Sequence, residues 1–247
     1  MIGLSDVQAF CASAALLPST DALKDLLAEM TRRMGFSYFA LVHHVELTNA
    51  GHRINLVDYP PDWIECFEAR RLYASDTIHR ASQRTSVGFT WSEVGHLIAL
   101  TPADRSVLED ARMAGLGEGF TIPAHIPGEL NGSCSFATVS GGEIDRDQLP
   151  LAQLIGGFAF EAARRIGRIG TAPVEFPRLT DRQAECVALV ARGKTDWEIS
   201  RILGIGQETV TQHVKDARER YGTTKRTLLA IRALFDGQIS FVDVFGR

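Results

Sequence analysis

Tyr59, Trp63, Asp76 and Trp91, interleaved with Phe67 and Ile78, form the set of side chains in this chain best suited to directional chemistry. An ionised carboxylate only accepts hydrogen bonds, an indole N–H only donates, and a phenol does both. Set among apolar neighbours, such groups can enclose a small molecule and fix its orientation. The same residues could instead form an aromatic core whose polar tips meet backbone partners, which is the simpler reading for Phe67 and Trp91. The sequence offers little for bond-breaking chemistry. His43 and His44 are adjacent, so on a strand they point to opposite faces and cannot chelate together. His79, His96 and His125 lack ligand spacing, and there is no Gly-x-Ser-x-Gly turn. Cys11, Cys66, Cys134 and Cys186 stand singly, which reads as isolated buried thiols rather than a zinc site or disulfide framework. Neither an enzyme nor a metal or cofactor site is expected.

A second set, from Lys194 to Lys215, suits a different partner. Thr195 can cap a short helix, with Glu198 three residues on to close a capping box, and Ile199, Ile202 and Leu203 supply its buried stripe. Gly204 permits the left-handed backbone of a sharp turn. In the helix that follows, Val210 and Val214 face inward, leaving Gln207, Glu208, Thr211, Gln212, Lys215 and Arg218 to project outward. A polar, partly basic face on the second helix of such a pair is what enters a DNA major groove. Lys215 can reach guanine acceptors and glutamines suit adenine. Lys194 and Arg226 are placed for phosphate, which positions without specifying. From Pro177 to Gln238 there are eleven Lys/Arg and eight Asp/Glu, a net of +3, whereas the whole chain is −4 and the remainder −7. The asymmetry favours the C-terminal segment as the one that meets phosphate.

The elements that must position these residues follow from periodicity. At 247 residues and 45% hydrophobic content there is room for two cored domains. Helices are predicted over Ser5–Leu17, Asp21–Met34, from Pro61, from Thr101-Pro102 to Gly115, and from Asp145 or Asp147 through Ile166. Pro61 at a first turn puts Trp63 and Phe67 one turn apart on the same face. Strands are predicted at Tyr38–Val45, Arg53–Tyr59, Phe120–Ile126 and Ser133–Val139, with turns at Asn49-Ala50-Gly51 and from Pro127 to Gly132. Beyond the two-glycine, two-proline segment 167–177, a helix opened by Thr180 and Gln183 buries Val187, Leu189 and Val190. A last helix from Thr224 carries Leu228, Leu229, Ile231, Leu234 and Phe235 before Asp236-Gly237. The expected class is α+β: an N-terminal α/β/α sandwich around an antiparallel sheet (1–168), a linker (169–177), and an all-α four-helix helix-turn-helix domain (178–247). No apolar run of membrane length and no secretory leader is apparent, so a cytoplasmic location is expected.

The Tyr-Pro-x-x-Trp segment, Asp76 thirteen residues after Trp63, and Trp91 fifteen further on resemble the LuxR-type quorum-sensing regulators. So do the stretch from Glu118 to His125 and the C-terminal helix-turn-helix, and the likeness runs from about Ala22 to Ile239. The resemblance implies an acyl-homoserine lactone ligand, a homodimer bound to an inverted-repeat site on double-stranded DNA, and RNA polymerase as a further partner. Carried over by position, Trp63 would donate to the lactone carbonyl and Asp76 would accept the ligand amide N–H. Tyr59 and Ser135 would bind the amide carbonyl, and Trp91 would pack on the lactone ring. Gly119 matches a family glycine, for which a backbone role is expected. Thr211 and Lys215 match the base-reading positions, with Gln207 and Gln212 beside them. The stripe of Leu228, Ile231 and Leu234 is the expected dimer seam, part of it also serving packing within the domain. Gln183 replaces a common Glu, and Gly206 a common Ser at the start of the recognition helix.

For the acyl end, strand alternation gives an expectation. If Tyr59 points inward, Asn55 and Val57 share its face, and Ala40, Val42 and His44 line the neighbouring strand. His44 and Asn55 would then suit a short, oxo-substituted or aromatic acyl group; a one-residue register change would turn both outward. Without ligand, Asp76 and Trp63 would be buried groups lacking partners, each costing roughly 1–3 kcal/mol, so folding is expected to depend on ligand. Rival readings are a lactone hydrolase, a regulator that answers a non-lactone small molecule, and a phosphorylated response regulator. The last lacks an early acidic cluster.

Overall fold

In a computed structural model describing residues 1–44, 53–126, 129–168 and 177–246, residues 1–125 and 130–168 form one compact unit and residues 177–246 another. The expected linker at 169–176, the Asn49-Ala50-Gly51 turn, Val45 and Pro127-Gly128 lie outside the described residues.

The first unit is built on a five-stranded antiparallel sheet of order β2-β1-β5-β4-β3: β1 (Tyr38–His43), β2 (Asn55–Asp58), β3 (Phe89–Thr90), β4 (Leu116–Ala124) and β5 (Gly132–Val139). The side-chain period of two gives the sheet two unlike faces. Phe39, Leu41, Phe120, Ile122, Cys134 and Phe136 are almost wholly buried. They lie toward α2 (Thr20–Arg33) and α7 (Leu149–Gly167), with α1 (Leu4–Leu16) packed on α7. In α1 and α2 the buried stripes are Val7, Phe10 and Ala14, and Leu23, Leu27 and Met30; Cys11 and Leu26 are half-buried. The alternate residues form cross-strand rows on the other face: Val57–Ala40–Ser135–Thr121, and Asn55–Val42–Ser133–Pro123. That face is covered by α3 (Pro61–Ala69), α4 (Thr77–Ser82), α5 (Val94–Leu97) and α6 (Pro102–Met113). The layers are therefore helix, sheet, helix, as the sequence predicts.

Element limits depart from expectation where local geometry intervenes. β4 begins at Leu116, four residues ahead of Phe120, because Gly115 (φ +99°) ends α6 and turns the chain straight into the sheet. Asp145 caps a single 3₁₀ turn by accepting from Asp147 N–H at 3.0 Å, so α7 proper starts only at Leu149. α4 and α5 were not predicted; at six and four residues they are too short to show a period.

The second unit contains α8 (Asp181–Ala191), α9 (Asp196–Leu203), α10 (Gln207–Arg220), α11 (Arg226–Phe235) and a fifth helix, α12 (Phe241–Phe245), that the four-helix expectation omitted. Its core joins Cys186, Val187, Leu189 and Val190 of α8 to Ile199, Val210, Val214, Ala217, Leu229, Ala230 and Ala233. Two expectations for this core need correction. Ile202 is 54% exposed rather than buried. The last long helix starts at Arg226 rather than Thr224, with Lys225 as its cap. Leu234 packs on the core, while Leu228, Ile231 and Phe235 are exposed along one side of α11. Trp197, on α9, is 59% exposed.

Candidate functional site

Between the sheet's polar-lined face and the covering helices lies a cavity of about 160 Å³. Of the residues expected to bind ligand, Tyr59, Trp63, Phe67, Asp76, Ile78, Trp91 and Ser135 line it. Ala40, Val42, Asn55 and Val57 border it from the strands, consistent with the register that pairs Val42 with Asn55 and Ala40 with Val57.

Local chemistry explains each placement. Pro61 occupies the first turn of α3, which sets Trp63 on the buried side. Trp63 is 5% exposed and borders the cavity, and its indole N–H donates to no other described residue. Asp76 is the N-cap of α4, its Oδ1 accepting the His79 backbone N–H at 2.8 Å. The expectation of a partnerless Asp76 is thus corrected: one oxygen is held by the helix start and fixes the carboxylate. Burial, followed by the nearby Asp76 charge, pushes the Tyr59 phenol well above its ordinary range, and its hydroxyl is hydrogen-bonded to Ser135. It stays neutral.

A hydroxyl relay that the sequence reading missed runs across the sheet. The Trp91 indole N–H donates to Thr121 Oγ1 at 2.9 Å, and Thr121 Oγ1 meets Ser135 Oγ at 2.8 Å. Thr121 and Ser135 share a cross-strand row, but nothing in sequence spacing joins residues fourteen apart on two strands. The Trp91 indole N–H is therefore spoken for, leaving the ring as an apolar wall. The wall lies directly on Gly119, where an added Cβ would sit 2.3 Å from Trp91 Cε2. Gly119 is needed for close packing, which corrects the expectation of a backbone role.

His44 is the expected ligand residue that does not line the cavity. It lies beyond the end of β1, its ring stacked on His79 at 3.9 Å and 15°, with Nε2 2.9 Å from Ser133 Oγ. Burial, then the neighbouring His79, His125 and His43, push its pKa down to about 2, so it is neutral. The His43 ring lies edge-on to Phe160, as alternation requires, although His43 also borders the cavity. His79 takes the place at the cavity that His44 was assigned, and Tyr73 joins it there; both were missed. Among the described residues no cluster of His, Cys, Asp and Glu could hold a metal ion.

In the second unit, capping boxes start α8 (Thr180 with Gln183) and α9 (Thr195 with Glu198). Gly204 closes α9 at φ +66°. Gly206 opens α10 with no side-chain cap. Gln207, Thr211, Gln212 and Lys215 are all exposed on α10. Thr211 Oγ1 donates to Asp196 Oδ2 at 2.8 Å and lies 3.1 Å from the Gln207 carbonyl. Gln212 donates to Asp216 at 2.5 Å, and Lys215 is 3.9 Å from Glu219. Two expected DNA contacts are tied inward instead. Arg226 pairs with Asp196 and donates to the Lys194 carbonyl at 2.6 Å. Arg218 donates to the Thr224 carbonyl at 2.9 Å and buries its Nε. Both guanidinium groups brace α9, α10 and α11 in the unit. Lys194 Nζ stays near Glu198 at 3.5 Å and 41% exposed.

Comparison with known proteins gives these two units a family. Residues 19–163 match the autoinducer binding domain, and residues 177–233 match the bacterial regulatory proteins of the luxR family. The chain is similar to the quorum sensing-dependent regulator RpaR of Rhodopseudomonas palustris, 33% identical over 73% of each chain. It is also similar to the transcriptional activator AhyR of Aeromonas hydrophila, 28% identical over 83% of this chain and 81% of that one. Among solved structures, Escherichia coli SdiA shares the fold, with a TM-score of 0.63 at 23% identity over 95% of this chain and 98% of that one. A structure of SdiA in complex with octanoyl-rac-glycerol gives 0.64 at 23% identity, over 97% and 99%. With an autoinducer-binding domain ahead of a helix-turn-helix, this chain belongs to the LuxR family of ligand-responsive, DNA-binding transcriptional regulators.

Proposed function

We propose that the cavity binds an acyl-homoserine lactone and that the liganded protein acts as a homodimer on an inverted-repeat promoter site. The observation that carries this reading is the convergence of Trp63, Asp76, Tyr59 and Ser135 on one apolar cavity. A donor, an acceptor and a pair of hydroxyls in fixed places suit a ligand with a carbonyl at one end and an amide beside it. Trp63 donates to the lactone carbonyl, Asp76 accepts the amide N–H through the oxygen not used as a cap, and the Tyr59–Ser135 pair binds the amide carbonyl. Trp91 forms the wall behind the lactone ring.

On DNA, Thr211, Lys215, Gln207 and Gln212 read base edges, and Lys194 contacts phosphate. One chain brings one recognition helix, so an inverted repeat requires two. The exposed line of Leu228, Ile231 and Phe235 on α11 is the seam proposed for that pairing. RNA polymerase is the proposed downstream partner, and action on DNA places the protein in the cytoplasm. It alters no bond in its ligand.

The test is thermal unfolding of the purified chain with a lactone panel, beside Trp63→Phe. Lactone is expected to raise the melting temperature. Trp63→Phe keeps the ring but removes the donor, and should weaken binding by about tenfold, the equivalent of one hydrogen bond of roughly 1 kcal/mol or a little more. Equal soluble yield and melting temperature with and without every lactone would sink the proposal, and lactone recovered hydrolysed would reinstate an enzyme. A second reading is a ligand other than a lactone, since octanoyl-rac-glycerol occupies SdiA, which has this fold. Mass spectrometry of ligand co-purified from cells that make different lactones separates the two.

A further inference from the structure

Among the residues that line the cavity is a connected array of rings. Trp63 and Phe67 stand edge to face with centroids 6.0 Å apart. Phe67 continues the array to Tyr73 at 5.5 Å and 79°, and to His79 at 6.2 Å and 68°. All four residues border the cavity. His79 is clamped on several sides. Its backbone N–H is fixed by Asp76, its Nδ1 lies 3.4 Å from the Tyr73 carbonyl, and its face is covered by the stacked His44. His44 is in turn held by Ser133, which sits in the Asn55–Val42–Ser133 row. Tyr59 directly follows β2, and from Tyr59 back through Val57 to Asn55 the chain spans about 13 Å at the usual strand rise. Trp63 begins the array at the head group, and Phe67, Tyr73 and His79 carry it toward the Asn55–Val42–Ser133 row, one row beyond Ser135 and so toward the acyl end.

The geometry points to an aryl subsite formed by Phe67, Tyr73 and His79, so that the preferred ligand carries a planar aromatic acyl group instead of a straight alkyl chain. This rests on the lactone reading of the head group and specifies its other end. Edge-to-face and stacked rings attract beyond the area they bury, so a flat ring inserted into such an array gains more than an alkyl chain of equal size. A rigid ring also loses fewer rotatable bonds on binding than a chain does. His44 touches no ligand in this scheme; it is a positioning residue that sets the plane of His79.

The experiment compares dissociation constants of the full chain for benzoyl-, phenylacetyl- and cinnamoyl-homoserine lactones with those for hexanoyl, octanoyl and dodecanoyl lactones. At least one aryl lactone is expected to bind about tenfold or more tightly than any straight-chain one. In His79→Leu the two classes should converge, and His44→Gln, which leaves every lining residue in place, should narrow the ratio in the same direction. A straight-chain lactone that binds the unaltered chain as tightly as the aryl ligands overturns the aryl subsite while leaving the lactone reading intact. An unchanged ratio in folded His79→Leu also overturns it. Failure of every lactone to bind overturns both. The unaltered chain decides the matter even if the variants do not fold.

Discussion

Gly119 and Trp91 show how much a single hydrogen atom can decide. The indole ring lies where a Cβ on Gly119 would be, and it is tethered to Thr121 on the same strand. Gly119→Ala should therefore destabilise the first unit by about 1–3 kcal/mol through overpacking, and the displaced ring should blunt any rise in melting temperature on adding lactone. His44 sets a pH dependence. Its folded-state pKa is depressed from 6.5 to about 2 by burial and three neighbouring histidines. The unfolded chain therefore binds the proton more readily. Its contribution is fully present above pH 6.5 and is lost progressively as pH falls below that value. Urea unfolding between pH 8 and 5 should show stability falling on the acid side, with the slope reduced in His44→Gln. At this scale alternation alone placed Tyr59, Val57 and Asn55 on one face, because strand parity is strict. It also put His44 on the right side of the sheet, but could not see His79 standing in front of it. That juxtaposition joins residues thirty-five apart and depends on where α4 starts.

Helix ends were the most legible elements. The boxes at Thr180–Gln183 and Thr195–Glu198 form, and Gly204 takes the left-handed turn, because each rests on contacts three or four residues apart. Gly206 is the weak member. Its φ of −66° is open to any residue, and an added Cβ would meet Thr209 Oγ1 at no less than 3.4 Å. Gly206→Ser should supply the missing cap and stabilise α10 by a few tenths of a kcal/mol, up to about 1. A rise of a few degrees in the second unit's melting transition is the expected reading. What propensity could not give was direction within an element. Arg218 and Arg226 look like DNA contacts when helix faces are drawn from spacing, yet both find carbonyls within their own unit. A long side chain can reach back over its own helix, so its Cα position does not fix its partner. α12 escaped notice for another reason: its five residues carry a capping box but no buried stripe.

For the whole molecule, the division into two units with separate cores was readable from the charge asymmetry and the glycine- and proline-rich segment between them. It makes ligand stabilisation local. A ligand held in the first unit at 100 times its Kd adds about 2.7 kcal/mol to that unit alone. Calorimetry should then resolve two transitions, of which lactone moves only one. A single transition that shifts as a whole would mean that the units unfold together.

The chain's three tryptophans are shared between these units in a useful way. Trp63 is shielded, Trp91 half-shielded, and Trp197 stands in solvent on the DNA-binding unit. A collisional quencher such as iodide will extinguish Trp197 emission and leave most of the Trp63 emission. One fluorescence titration can therefore follow both ends of the regulator: the unquenched light reports filling of the cavity, and the quenchable light reports what approaches α9.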